Sequence, residues 1–215
     1  MIKKSFLEKE YIKNGKSVSE IARGLSCSEN KISYWLAKHD VRKRSISEAV
    51  YLKNNPKGDP FEFKAPKSAE EWFLYGLGLG LFWGEGNKAN TQSVRLGNTD
   101  PDLIKVFLEF LESIFSIKTT RLRFGLQVFS DMDPDKAKNF WMKKLNIKTN
   151  QFQKVVVTKP FKKGTYRRKT RHGVLTVYFS NTKLRDSIGF AIEELRTTTY
   201  ANVAQSVERI HGKSH

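Results

Sequence analysis

Residues 76–86 read GLGLGLFWGEG, a strongly apolar run interrupted by Gly76, Gly78, Gly80 and Gly84. Each glycine costs about 1 kcal/mol relative to alanine inside a helix, so a helix built from this run needs a packing job that only bare backbone can do. Its start is well marked: Ser68 followed by Glu71 makes the S-x-x-E pattern of a capping box, and an apolar stretch opens at Trp72. The helix is expected over residues 69–85, with Gly86 ending it. Gly76, Gly80 and Gly84 recur at i, i+4 and i+8, a stripe along which a second helix backbone can come close. Leu77, Leu79, Leu81, Phe82 and Trp83 cover the remaining surface, which predicts a helix buried nearly all round, a sheet on one side and a helix like itself on the other. A membrane span needs roughly 20 apolar residues. This run is shorter and ends in a charge.

Glu85 is the residue that points to chemistry. A carboxylate in the last turn faces the negative end of the helix dipole, so a positive group is expected beside it. Two such helices crossing through their glycine stripes would bring two Glu85 carboxylates together, an arrangement that calls for divalent cations. Gly80, Leu81, Glu85 and Gly86 match the G-L-x-x-x-[DE]-G frame of the LAGLIDADG homing endonucleases, which this segment resembles. In that family the motif helices pair at the centre of a dimer or pseudo-dimer, and their terminal acids hold the metal ions that cut both DNA strands. The resemblance implies a homing-type double-strand DNA endonuclease acting as a homodimer, since one motif is visible. It makes Glu85 the catalytic and metal-binding acid toward Mg²⁺ or another divalent cation, and Gly76, Gly80 and Gly84 the helix interface. Trp83 replaces the first aspartate of the eponymous motif. Lys88, just beyond it, is the nearest candidate for an assisting base. The alternative is a non-cutting transcriptional regulator, as in bacterial proteins that join such a domain to a helix-turn-helix but have lost the acid.

Charge narrows the partner. Lys and Arg number 39 against 22 Asp and Glu, a net charge of +17 that is the electrostatic footprint of a nucleic-acid binder. Between Asp135 and Asp186 there are fifteen basic residues and no acid, with Phe161 and Tyr166 interleaved. Such a block repels itself unless a polyanion is present, which favours contact with DNA or RNA over a merely solvated surface. No amphipathic basic helix or lipidation signal points to a membrane. The single Cys27 excludes a disulfide framework and no signal peptide opens the sequence, so a reducing cytoplasm, with nucleoid association, is the expected compartment.

Residues 1–48 read as a small all-α domain of three helices, 6–14, 18–25 and 29–39. Ser17 with Glu20 forms a capping box and Ser28 caps the third helix. The short Ser26-Cys27 connection resembles a helix-turn-helix, which implies that the third helix enters the major groove with Asn30, Lys31, Ser33 and Tyr34 outward. Arg42, Lys43 and Arg44 add cations for a phosphate backbone. Residues 49–67, with Pro56, Gly58, Pro60 and Pro66, read as a linker.

From 68 to 198 strands and helices alternate, an α+β pattern expected to form a LAGLIDADG-like domain with a DNA-facing antiparallel sheet. Strands are predicted at 93–97, 119–130, 153–159 and 174–180, and Asp100-Pro101 and Asp133-Pro134 are helix starts. The second of these readings takes Asp131, Asp133 and Asp135 as a helix start and not a metal cluster. In residues 122–128 Leu122, Phe124, Leu126 and Val128 alternate with polar positions, so one face is core and the other offers guanidinium and amide groups to a groove. The DNA-contact candidates are Arg95, Arg121, Arg123, Gln127, Lys154, Arg167, Arg168 and Lys169. Residues 199–215 read as a disordered tail.

Overall fold

A computed structural model describes residues 1–159 and 170–211, the stretch 199–211 through its backbone alone. The chain divides into two compact units, Met1–Pro60 and Phe61–His215.

The first unit is helical. It comprises α1 (Lys4–Leu7) continued by a π-helical turn (Glu8–Lys13), then α2 (Val18–Gly24), α3 (Glu29–Lys38) and α4 (Ile46–Asn54). Leu7, Tyr11, Ile21, Ala22, Ile32, Leu36 and Val41 form its core. The start of α2 is the expected capping box: the Ser17 amide donates to Glu20 Oε2 at 2.7 Å, and the Glu20 amide donates to Ser17 Oγ at 3.1 Å. The turn between α2 and α3 passes through Ser26 at φ 49°, a left-handed conformation that a glycine takes at less cost. One expectation is corrected here. Residues 49–54, read as linker, belong to α4, because Ser45 and Glu48 form a second capping box that starts a helix ahead of the prolines.

The second unit is α+β. Its elements are α5 (Ala69–Glu85), β1 (Val94–Asn98), α6 (Pro101–Phe115), β2 (Arg123–Phe129), α7 (Pro134–Leu145), β3 (Val156–Thr158), β4 (Val174–Phe179) and α8 (Thr182–His211). Aspartates 100 and 133 cap α6 and α7 with proline in the first turn, as expected. The sheet order is β1-β4-β2-β3. β4 lies antiparallel between β1 and β2, but β3 runs parallel to β2, so the sheet is mixed and not antiparallel. The cause is α7, which carries the chain back over the sheet between β2 and β3, as a parallel pairing requires.

α5, α6, α7 and α8 contribute to one core with the inward side of the strands, among them Leu79 and Phe82 of α5, Phe107 and Phe110 of α6, Trp141 of α7 and Ile188 of α8. The Trp141 indole N–H donates to the His172 carbonyl at 2.7 Å, which satisfies its polar edge inside that core. The segment before α5 is part of the unit: the amides of Glu62 and Lys64 donate to the carbonyls of Phe115 and Ile114, and Phe61 and Phe63 pack on Phe115.

Three further expectations change. The strand drawn from Thr119 begins only at Arg123, because Thr119–Arg121 forms a 3₁₀ turn. α5 is not buried nearly all round: Phe73 is 72%, Trp72 57%, Trp83 43% and Leu77 37% exposed. The backbone of residues 199–211 is helix and not tail, since no glycine or proline intervenes between Gly189 and Gly212 to stop α8.

Candidate functional site

The capping of α5 places its two ends. Ser68 Oγ accepts from the Glu71 amide at 3.2 Å, while the Glu71 carboxylate accepts from the Lys67 amide at 2.6 Å, one residue earlier than a standard capping box. Hydrogen bonds to Ser68 and to its own backbone hold the Glu70 carboxyl below its ordinary range. The helix begins negative, as its dipole favours.

Inside it the glycines divide. A Cβ at Gly78 would fall on the Phe110 ring, so α5 and α6 approach through this bare position. Among the described residues nothing lies within 4 Å of a Cβ built at Gly76, Gly80 or Gly84. The expected stripe therefore lies on the open side of α5, flanked by the exposed Phe73, Leu77 and Trp83.

The last turn carries Glu85, exposed to solvent. Gly86 ends the helix in an extended conformation, its amide donating to the Phe82 carbonyl at 2.9 Å, and its pairing with Leu96 joins the helix end to β1. A side chain at Gly86 would collide with that carbonyl, which is why glycine stands there. Lys88 folds back so that its Nζ donates to the Gly84 carbonyl at 3.3 Å. The positive group anticipated at this end of the dipole is thus Lys88, seated on the carbonyl of the residue that precedes Glu85. Among the described residues no group of three or more His, Cys, Asp or Glu comes together.

The outward face of the sheet is organised in rows, because directly opposed residues of antiparallel strands share a face. Arg95, Tyr178 and Arg123 form one row across β1, β4 and β2; Gly97, Thr176 and Gly125 form the next; Val174 and Gln127 follow. The Arg95 Nε donates to Ser93 Oγ at 2.7 Å, and its guanidinium lies 5.3 Å from the centre of the Tyr178 ring. The Arg123 guanidinium donates to the Asn150 carbonyl at 3.1 Å and Gln127 Nε2 to Thr158 Oγ1 at 3.1 Å. Arg123 and Gln127 share this face as the alternation predicted, and Arg95 of β1 joins them there. Arg121 does not: it is exposed on the 3₁₀ turn ahead of β2. Lys154 is exposed in the segment leading to β3. Arg167, Arg168 and Lys169 lie outside the described residues.

Tyr178, Thr176 and Ser93 were not among the sequence candidates. Alternation in Val174–Phe179 was the available signal, since Leu175, Val177 and Phe179 point inward and leave Thr176 and Tyr178 outward.

In the first unit, α3 presents Asn30, Lys31 and Tyr34 to solvent, with Ser33 half-buried. Lys43 Nζ donates to Ser33 Oγ at 3.3 Å, and Lys38 lies over the Tyr34 and Trp35 rings at 5.7 and 5.1 Å. The three cations of residues 42–44 have different roles. Arg42 pairs with Glu48 at 2.9 Å; Arg44 stacks on Tyr11 and donates to the carbonyls of Tyr11, Gly15 and Lys16, closing the end of the π-helical turn. Lys43 alone extends the α3 surface.

The acidic residues before α7 have the structural role read from sequence. Asp133 Oδ1 accepts from the amides of Lys136 and Asp135 at 3.1 and 3.0 Å, and these bonds, Lys136 first, hold its carboxyl below the ordinary range. None of the described helices is long and apolar enough to cross a membrane. Comparison with protein-family models, with curated proteins and with solved structures returns no match for this chain.

Proposed function

We propose that the chain is a homodimeric, divalent-metal-dependent endonuclease of double-stranded DNA, of the LAGLIDADG homing type with an N-terminal helix-turn-helix. The observation that carries this reading is the open face of α5: three glycines with nothing against them, apolar side chains beside them, and an exposed acid at the end. Glycines cost a helix stability, and among the described residues these three return none of it, which favours a compensating contact with a partner. A second copy of the same helix fits that stripe and brings a second Glu85 to the first.

Glu85 of each protomer would then hold a cation such as Mg²⁺, which when bound polarises the scissile phosphodiester as a Lewis acid. The basic sheet face would lie along the duplex, and α3 with Lys31, Lys38 and Lys43 would add affinity through phosphates and base edges. The Ser26 turn supports the helix-turn-helix reading, since its left-handed backbone is the conformation that a tight connection between two such helices needs. A cytoplasmic, nucleoid-associated protein follows from this partner.

A non-cutting regulator that binds DNA through the same basic surfaces is the second reading. The two readings separate when the protein and its Glu85→Gln variant are incubated with native flanking duplex and Mg²⁺. Cleavage by the parent protein alone supports the enzyme. Binding without cleavage by both supports the regulator, and equal cleavage by both moves the chemistry away from Glu85. In either DNA-binding case affinity falls steeply with added salt, and a flat salt dependence removes both.

A further inference from the structure

Resting on the reading of the sheet face as a DNA interface, we infer that Arg95 is its principal base-reading residue, that it selects a guanine in the major groove, and that Tyr178 and Ser93 are the positioning residues that make it selective.

Three constraints converge on the Arg95 guanidinium. Its Nε is engaged by Ser93 Oγ at 2.7 Å, and the Ser93 hydroxyl in turn donates to Asn90 Oδ1 at 2.8 Å; Ser93 is buried, so this anchor does not drift. Its guanidinium carbon lies 5.3 Å from the centre of the Tyr178 ring, a cation–π contact that restrains the side chain further. The ring is itself held: Tyr178 leans across Gly125 on the neighbouring strand, where a Cβ would come within 2.8 Å of its Cε2. With Nε occupied, the two terminal amino groups remain for an outside acceptor.

A guanidinium fixed in this way suits a base edge more than a phosphate. Phosphate contacts come from flexible cations that adapt to a continuous backbone, whereas bidentate recognition of guanine O6 and N7 needs a planar donor pair at a set angle. The surroundings agree. Arg95 stands within the sheet and not on a loop, its backbone held in register opposite Tyr178. Arg123, opposite Tyr178 on the other side, spends one donor on the Asn150 carbonyl and has no ring contact with Tyr178, so it is the less selective of the pair.

The test is selection of bound duplexes from a random-sequence DNA pool by the full-length protein and by Arg95→Ala, Arg95→Lys, Tyr178→Ala, Tyr178→Phe and Gly125→Ala variants, each checked for an unchanged far-ultraviolet spectrum and thermal transition. The parent protein should enrich a motif with guanine at one position. Arg95→Ala should lower the preference for that guanine by about tenfold or more, with the other positions unaffected. Arg95→Lys should behave similarly, because the charge remains and the planar fork does not. Tyr178→Ala and Gly125→Ala should reduce the same preference severalfold, and Tyr178→Phe should restore it.

An Arg95→Ala variant that enriches the same motif with the same guanine overturns the inference and leaves the DNA reading standing. So does one that weakens binding to all sequences equally, which would make Arg95 a phosphate contact. A parent protein that retains no duplex from the pool at low salt overturns the DNA reading itself, and this inference with it.

Discussion

The two sides of α5 use the same residue for opposite ends. On the inner side Gly78 is filled by the Phe110 ring, so the glycine is required by the fold of this chain. On the outer side Gly76, Gly80 and Gly84 meet nothing, and alanine at any of them would fit with room to spare. The first glycine explains how α5 and α6 come close; the other three weaken a helix without any return inside the protomer. That contrast separates what folding demands from what assembly and function demand, and each side predicts its own response to substitution.

The largest effect belongs to the inner side. Gly78→Val drives two γ carbons into the Phe110 ring, which also stacks within an aromatic cluster with Tyr75, Phe107 and Phe115, so there is little space for it to yield. Overpacking of this kind costs about 3 kcal/mol, read as a lowered midpoint in urea unfolding; an unchanged midpoint would refute the close approach of the two helices. The outer side responds in the other direction. Gly80→Ala should stabilise the isolated protomer by about 1 kcal/mol, in the same urea experiment at low protein concentration, while weakening self-association in sedimentation velocity. A gain in stability with unchanged association would leave the stripe without a helix partner.

Smaller effects lie at the two ends. Lys88→Met removes the cation that sits on the Gly84 carbonyl and should cost about 0.5 kcal/mol at low ionic strength, a loss that fades in high salt. The smallest concerns pH. Glu70 has its carboxyl held below the ordinary range by the helix start, so its contribution is present above the unfolded value near 4.5 and is lost as pH falls through the lower folded value. Stability measured from pH 6 down to 3 should therefore decline less in Glu70→Gln than in the parent protein; an identical decline would remove Glu70 from the capping of α5.

Much of this layout was legible in residue order because the signals are local. The bounds of α5, the aspartate caps of α6 and α7 and the alternation of β2 depend on neighbours one to four positions away, and all four were readable without a structure. The misses are of another kind. Proline-rich residues 49–67 hid α4, where a capping box outweighed the breakers that follow it. Arg44, counted as a cation for phosphate, turned out to satisfy carbonyls some thirty residues earlier in the chain, a partnership no spacing reveals.

By itself the amino-acid order determined where each helix and strand of the second unit would begin to within a few residues, which positions of β2 face inward, and that an acid ends a glycine-striped helix on a strongly basic chain. Only the tertiary structure decided that β3 runs parallel to β2, that Gly78 and not its three neighbours is filled, and that Arg95, Tyr178 and Arg123 form one row. The physical reason is range. Caps, periodicity and dipoles act along a few residues of one segment, whereas strand order, ring-on-guanidinium contacts and the choice of which bare position receives a side chain are set by segments brought together from about thirty to more than eighty residues apart.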